Sequence, residues 1–235
     1  MRRRGISALG CAILLCGLIS ACATTIEGTA VRAGGPAPAD VPQLSESDLE
    51  RVLIRASAVN GIMGARGMEV VASSEDLSDN SDVVSDRDCL GAIYGAEKLV
   101  YGGSDWIAIR DQVVQEPNDD NQHWVEQIAV LYPSAAKARN FVEESKAAWQ
   151  QCAGKSVDID NGDVHSTWDL GDFRAEEAKS GLILTQLTEQ RHAGGWGCQH
   201  ALTSVSNVVV EAWACSNSIQ DEAAAIVGQM QKNAQ

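Results

Sequence analysis

The tightest constraint on how this chain can fold comes from two cysteines near its end. Cys198 lies eight residues before Ser206 and Cys215 eight residues after Asn207, with strand-forming residues filling much of both intervals. If Ser206-Asn207 is the centre of a hairpin, the two cysteines face one another across an antiparallel pair, at a separation a disulfide can span. Of the seven cysteines, Cys11 and Cys16 lie in an apolar N-terminal run and Cys22 closes it. Cys89, Cys152, Cys198 and Cys215 remain for the folded body. Four cysteines allow three connectivities; the hairpin register selects Cys198–Cys215 and leaves Cys89 with Cys152. There is no CxxC spacing of the kind a zinc site uses. Paired cysteines place the chain in an oxidising compartment.

The N-terminus points to the same compartment. Arg2, Arg3 and Arg4 precede an apolar run over residues 6–19, too short for a stable transmembrane helix and followed by small residues. That is the layout of an export signal, here residues 1–21. Its end, Ile19-Ser20-Ala21-Cys22, resembles a bacterial lipobox, which implies cleavage before Cys22 and diacylglycerol on its thiol. Two or more acyl chains hold a protein firmly where one holds it reversibly. The expected location is therefore the extracytoplasmic face of the cell membrane. Residues 22–44 then form a tether: small, rich in Gly, Ala and Pro, and too poor in bulky apolar groups to fold. Extended at ~3.1 Å per residue it reaches about 60 Å.

Residues 45–235 suit one domain. The net charge of −14 becomes about −17 once the three signal arginines are removed, which disfavours nucleic acid or an anionic lipid surface as a partner. Residues 45–64 open with capping residues and continue with apolar positions at helical spacing, giving one helix or two short ones that end at Gly61 or Gly64. A short strand is expected over 68–72, an acidic loop over 73–88 and partial helix over 89–99. Residues 106–115 alternate, the turn EPNDDNQ follows, and HWVEQIAVLY returns as a second strand. Pro133-Ser134 starts a helix that ends at Cys152. Asn161-Gly162 marks a hairpin between strands over 155–160 and 164–169. Residues 182–191 form a long strand, the two cysteine-bearing strands follow, and 218–233 close the chain as an amphipathic helix. Antiparallel hairpins with helices outside them define an α+β fold.

The order of these landmarks resembles the PknH-like extracellular sensor domain family, found on mycobacterial serine/threonine kinases and as stand-alone lipoproteins. The likeness is carried by LERVLIRASAVNGIMGARGMEV, DCLGAIYGAEKLVYGGSDWIAIRDQ, QIAVLYPSAAKARNFVEESKAAWQQC and GWGCQHALTSVSNVVVEAWAC. Its most specific parts are the four cysteines and Trp106, Trp149 and Trp196. The resemblance implies a twisted, largely antiparallel sheet with packed helices, two disulfides and a central cleft for an unidentified ligand. The sequence shows neither a kinase domain nor a transmembrane-length apolar segment, so phosphorylation is not carried over.

Catalytic motifs are absent: there is no GxSxG, HExxH or GxxxxGK. His123, His165, His192 and His200 are scattered and lack metal-ligand spacing. Residues 158–163 have calcium-loop character, but the glycine is one place early and no closing glutamate follows, so the hairpin reading is preferred. Asp76, Asp79, Asp82, Asp86 and Asp88 read as a solvated acidic loop. No cofactor and no metal are expected. Six tryptophans against two phenylalanines raise the question of a tryptophan-lined wall. Trp149 lies on the apolar helix stripe and is assigned to the core. Trp106, Arg110 and Gln112 share a strand face, Gln127 lies on the neighbouring strand, and Trp196 sits in the glycine-rich approach to Cys198. These five are the candidate ligand-cleft residues, a salt-bridged or exposed face being the alternative. The functional expectation is a non-catalytic lipoprotein that senses or binds an unknown small molecule or envelope component. The alternatives are a structural lipoprotein that contacts another envelope protein, and a glycan hydrolase with paired carboxylates.

Overall fold

The computed structural model describes residues 42–117, 121–178 and 181–235. The signal peptide, Cys22 and all but the last three residues of the tether lie outside them. The helices are α1 (Leu49–Val52), α2 (Ala56–Met63), α3 (Leu90–Ile93), α4 (Lys98–Tyr101), α5 (Ala135–Cys152) and α6 (Glu222–Asn233). The strands are β1 (Glu69–Ser74), β2 (Ala108–Gln115), β3 (Trp124–Leu131), β4 (Ser156–Asp160), β5 (His165–Ala178), β6 (Gly181–Gln190), β7 (Gly197–Val205) and β8 (Val208–Ser216).

All eight strands join one sheet in the order β1-β2-β3-β8-β7-β6-β5-β4, each adjacent pair antiparallel. The fold is α+β. β7 and β8 sit in the middle, where both sheet faces are covered and nearly every residue is buried. Continuous apolar runs such as Val208-Val209-Val210 suit that position better than a half-exposed one. Side chains alternate between faces along each strand. On one face Val125, Ala129, Val210, Ala212 and Ala214 pack with α1, α2 and α6. On the other, Ile109, Ile128, Val130, Leu202 and Val209 pack with α3, α4 and α5.

The hairpin register places Cys198 opposite Cys215, with their Cα atoms 4.0 Å apart in a disulfide. Cys89 is bonded to Cys152 and ties the approach to α3 to the end of α5. The turn has Ser206 at φ 51°, and Asn207 anchors the start of the domain. Its side chain accepts from Leu44 N and donates to the carbonyls of Leu44 and Tyr132. Leu44 is thus part of the core. At the other end of that segment, Asn233 of α6 donates to the carbonyls of Val52 and Leu53.

The N-terminal helical region is two short helices, α2 ending at Gly64 in the left-handed conformation that glycine tolerates. α5 starts at Ser134, whose hydroxyl accepts from Lys137 N, and ends at Cys152. β5 runs past residue 169 to Ala178, which the sequence pattern misses. β4 pairs only as far as Asp169, so the second half of β5 lacks cover and its residues are mostly exposed. Without burial there is no apolar alternation to detect.

Candidate functional site

α5 does not cover the whole of its sheet face. Beyond it, over the end of the sheet, lies a cleft of about 690 Å³. Its wall follows strand geometry: β3 gives Trp124 and Glu126, β8 gives Trp213 and Cys215, β6 gives Thr188 and Gln190, and β5 gives Ser166 and Trp168. Each pair is spaced by two residues, so both members point to one face. The register lines them into rows, Trp124–Cys215–Cys198–Thr188 and Glu126–Trp213–His200–Gln186. Trp196, from the turn before β7, and Tyr94, after α3, complete the aromatic rim.

The hairpin disulfide forms part of this wall and packs in one cluster with Trp213, Trp124, Trp168 and Trp196. Gly95 comes close to Ile128, Glu126 and Trp213. A Cβ there would meet Ile128 Cδ1 at 2.5 Å and stand 3.2 Å from Glu126 Oε2, so a larger residue would make the Ile128 side chain shift.

Behind the wall lies a buried polar layer. His200 is sandwiched between Trp149 and Trp213, with ring centroids 4.0 and 4.2 Å away. Its Nε2 is 2.7 Å from Glu211 Oε1, and Tyr101 Oη donates to Glu211 Oε2 at 2.6 Å. Burial lowers the His200 pKa against the pull of Glu211, favouring a neutral ring that donates through Nε2. Burial and Glu211 raise Tyr101 well above its usual value, so it stays a donor.

Beside this network Glu126 hydrogen-bonds Asp111. Burial, then the charges of Asp111 and Glu211, push Glu126 well above the usual carboxylate range. Burial raises Asp111 to about 6. Glu126 therefore keeps a proton and donates it to Asp111. Glu97, also buried, is raised by desolvation and accepts from Asn80. Several buried atoms of this layer have no hydrogen-bond partner: Asp111 Oδ1, His200 Nδ1, Trp213 Nε1 and both polar atoms of Gln186. Native interiors leave few such groups unsatisfied. Among the described residues no cluster of His, Cys, Asp and Glu has the arrangement of a metal site.

Of the five sequence candidates, Trp196 lines this cleft and the other four do not. Gln127 is fully buried on the opposite sheet face, where its carboxamide accepts from Ile54 N and donates to Ile54 O and to Gln112. Arg110 shares that face, its guanidinium near Glu46 and Glu75, and with Gln112 it lines a separate pocket of about 270 Å³. Trp106 precedes β2 and packs half-buried against the core beneath α3, α4 and α5. For Arg110, Gln112 and Gln127 the cause is parity: Gln127 and Glu126 are adjacent, so one faces away when the other faces the cleft. Trp106, ahead of β2, lies outside that strand's alternation and does not share the face of Arg110 and Gln112. Trp124, Glu126, Trp168 and Trp213 were missed. The signal for Trp213 was its place two residues before Cys215, on the disulfide's own face.

The described domain matches the family described as PknH-like extracellular domain over residues 44–233. It is 35% identical over 199 residues to serine/threonine-protein kinase PknH of Mycobacterium bovis, covering 84% of this chain and 33% of that protein. The same kinase from Mycobacterium tuberculosis is 35% identical over 196 residues, 83% of this chain and 31% of that one. The chain thus spans about a third of the length of these relatives. The crystal structure of the extracellular domain of PknH from Mycobacterium tuberculosis superposes with a TM-score of 0.77 at 34% identity, covering 83% of this chain and 98% of that one.

Proposed function

Because this chain belongs to the PknH-like extracellular domain family, we propose that it is a lipid-anchored, extracytoplasmic module that binds a small molecule in the tryptophan-lined cleft and catalyses no reaction. The observation that carries this reading is the cleft itself. Its volume of about 690 Å³ falls in the range of small-molecule sites, and its wall combines aromatic faces with a few convergent polar groups. Much of the wall comes from strands in a disulfide-linked sheet, so that part of the site is preformed. A retained glycosidase chemistry would place two carboxylates astride the cleft. Among the described lining residues Glu126 is the one carboxylate, and Asp111 lies beside it rather than across from it.

Anchoring rests on the Ile19-Ser20-Ala21-Cys22 order behind an export signal. The intact mass of the mature N-terminus tests it: a diacylated Cys22 supports the anchor, and an unmodified start at or beyond Ala23 removes it. Native mass spectrometry of protein purified from its own envelope tests the binding reading, through a retained small molecule that Trp196→Ala releases.

A second reading, contact with another envelope protein, draws on edge strand β1, where Val70 and Val71 are both exposed. An exposed apolar edge is a surface on which a strand can add. Crosslinking at Val70 in the envelope, with an unmodified cleft, separates the two readings.

A further inference from the structure

Four observations converge on the chemistry of the cleft's occupant. First, four indole groups, Trp124, Trp168, Trp196 and Trp213, line one space together with Tyr94. Aromatic faces are electron-rich, and indole attracts cations most strongly. Second, the described lining residues include no Lys, Arg or His, and their one acidic side chain is Glu126. Third, among the described residues no cation stands behind Glu126. Asp111 of β2, Glu211 of β8 and Glu97 ahead of α4 add negative charge, Tyr101 of α4 is a neutral phenol, and His200 of β7 is held neutral. Arg110, the cation of β2, is on the opposite face with Glu46 and Glu75. Fourth, Trp213 Nε1 is buried at the wall without an acceptor, in a residue only 4% exposed.

We propose that the cleft takes an organic cation, an ammonium group on an apolar body with a nearby oxygen, held by the indole faces, with Glu126 as counter-charge and Trp213 Nε1 donating to the oxygen. This deepens the binding reading above and rests on it. A neutral sugar would also stack on tryptophan, but it would leave unused the unpaired acidity behind Glu126. A metal ion is disfavoured because the described residues offer no group of three ligands in position. Seating the cation favours the ionised form of Glu126, so a proton is released on binding. Binding therefore strengthens as pH rises.

The test uses choline and its uncharged carbon isostere, 3,3-dimethylbutan-1-ol, which share shape and hydroxyl. Each is titrated to roughly 50 mM, since weak millimolar binding is expected of such small fragments. The readout is the indole N–H signals in a nitrogen–proton correlation spectrum, with Trp213 identified by Trp213→Phe. Choline is expected to shift the Trp213 signal saturably and to bind about tenfold tighter than the alcohol. Glu126→Gln should reduce that preference and flatten its pH dependence, the remainder being the indoles' own attraction for the cation. Should that variant fail to fold, Trp196→Ala, at a partly exposed turn, should weaken choline several-fold. Equal binding of both probes overturns the charge assignment and spares the cleft as a binding site. If neither probe moves a cleft indole, the proposal is also overturned. The fate of the broader reading then rests on the native mass spectrum of the envelope-purified protein.

Discussion

One residue of register separates Glu126, at the cleft, from Gln127, bonded to the backbone of Ile54 on the far face of the sheet. The two do different work for that reason alone. On the cleft side, Asp111 has a measurable signature. Its pKa is raised from 3.8 to about 6 in the folded protein, so between those values the folded state holds a proton that the unfolded state releases. Stability therefore falls as pH rises across that window and levels off above it. Asp111→Asn removes this loss. Urea unfolding should show the variant gaining on the parent by about 1–3 kcal/mol between pH 4 and pH 7. An equal difference at both pH values would mean that Asp111 is not buried as described. His200 acts in the opposite sense, because burial lowers its pKa below 6.5. Its contribution is present above that value and is lost as pH falls through the folded one. On the structural side, Asn207 closes hydrogen bonds to Leu44 and Tyr132. Asn207→Ala should cost about 2–3 kcal/mol in the same assay, through buried backbone groups left unpaired.

Among the elements, the β7–β8 hairpin was the most legible in sequence, because its pairing is local and the cysteines fix its register. α5 was equally clear, with its cap at Ser134 and its apolar stripe through Phe141 and Trp149. The cleft was not. It is assembled by pairing β3 with β8, a contact distant in sequence. In strands covered on both faces, apolar content no longer tells which face a polar residue joins. Arg110, Gln112 and Gln127 share one side of the sheet, and Trp196 lines the cleft on the other. The two disulfides belong to this scale as well. Cys89–Cys152 spans 63 residues and Cys198–Cys215 spans 17. Loop-closure entropy then predicts a loss of about 4 kcal/mol for the Cys89→Ser/Cys152→Ser double variant and about 3 kcal/mol for Cys198→Ser/Cys215→Ser. Denaturant midpoints of the two double variants check the order. A larger loss from the hairpin pair would show that the packing of its sulfurs against the tryptophans outweighs chain entropy.

The described domain is tied together near both of its ends. Arg51, in α1, donates to the backbone of Asn233 in α6, and Leu44 is held by the turn between β7 and β8. The last hairpin in the chain occupies the middle of the sheet. The sheet is therefore complete only once the whole domain is available. Its described surface holds no helix long and apolar enough to cross a membrane. One face of the sheet is closed by α1, α2 and α6, and the other is left open over Trp213 and Glu126. That opening is what the account depends on. The most direct measurement is native mass spectrometry of the protein isolated from its own envelope, beside the Trp196→Ala protein prepared in the same way. The account predicts a retained small molecule on the parent chain that is lost or much reduced on the variant. A parent protein that carries nothing, or a ligand held equally well without Trp196, would contradict it.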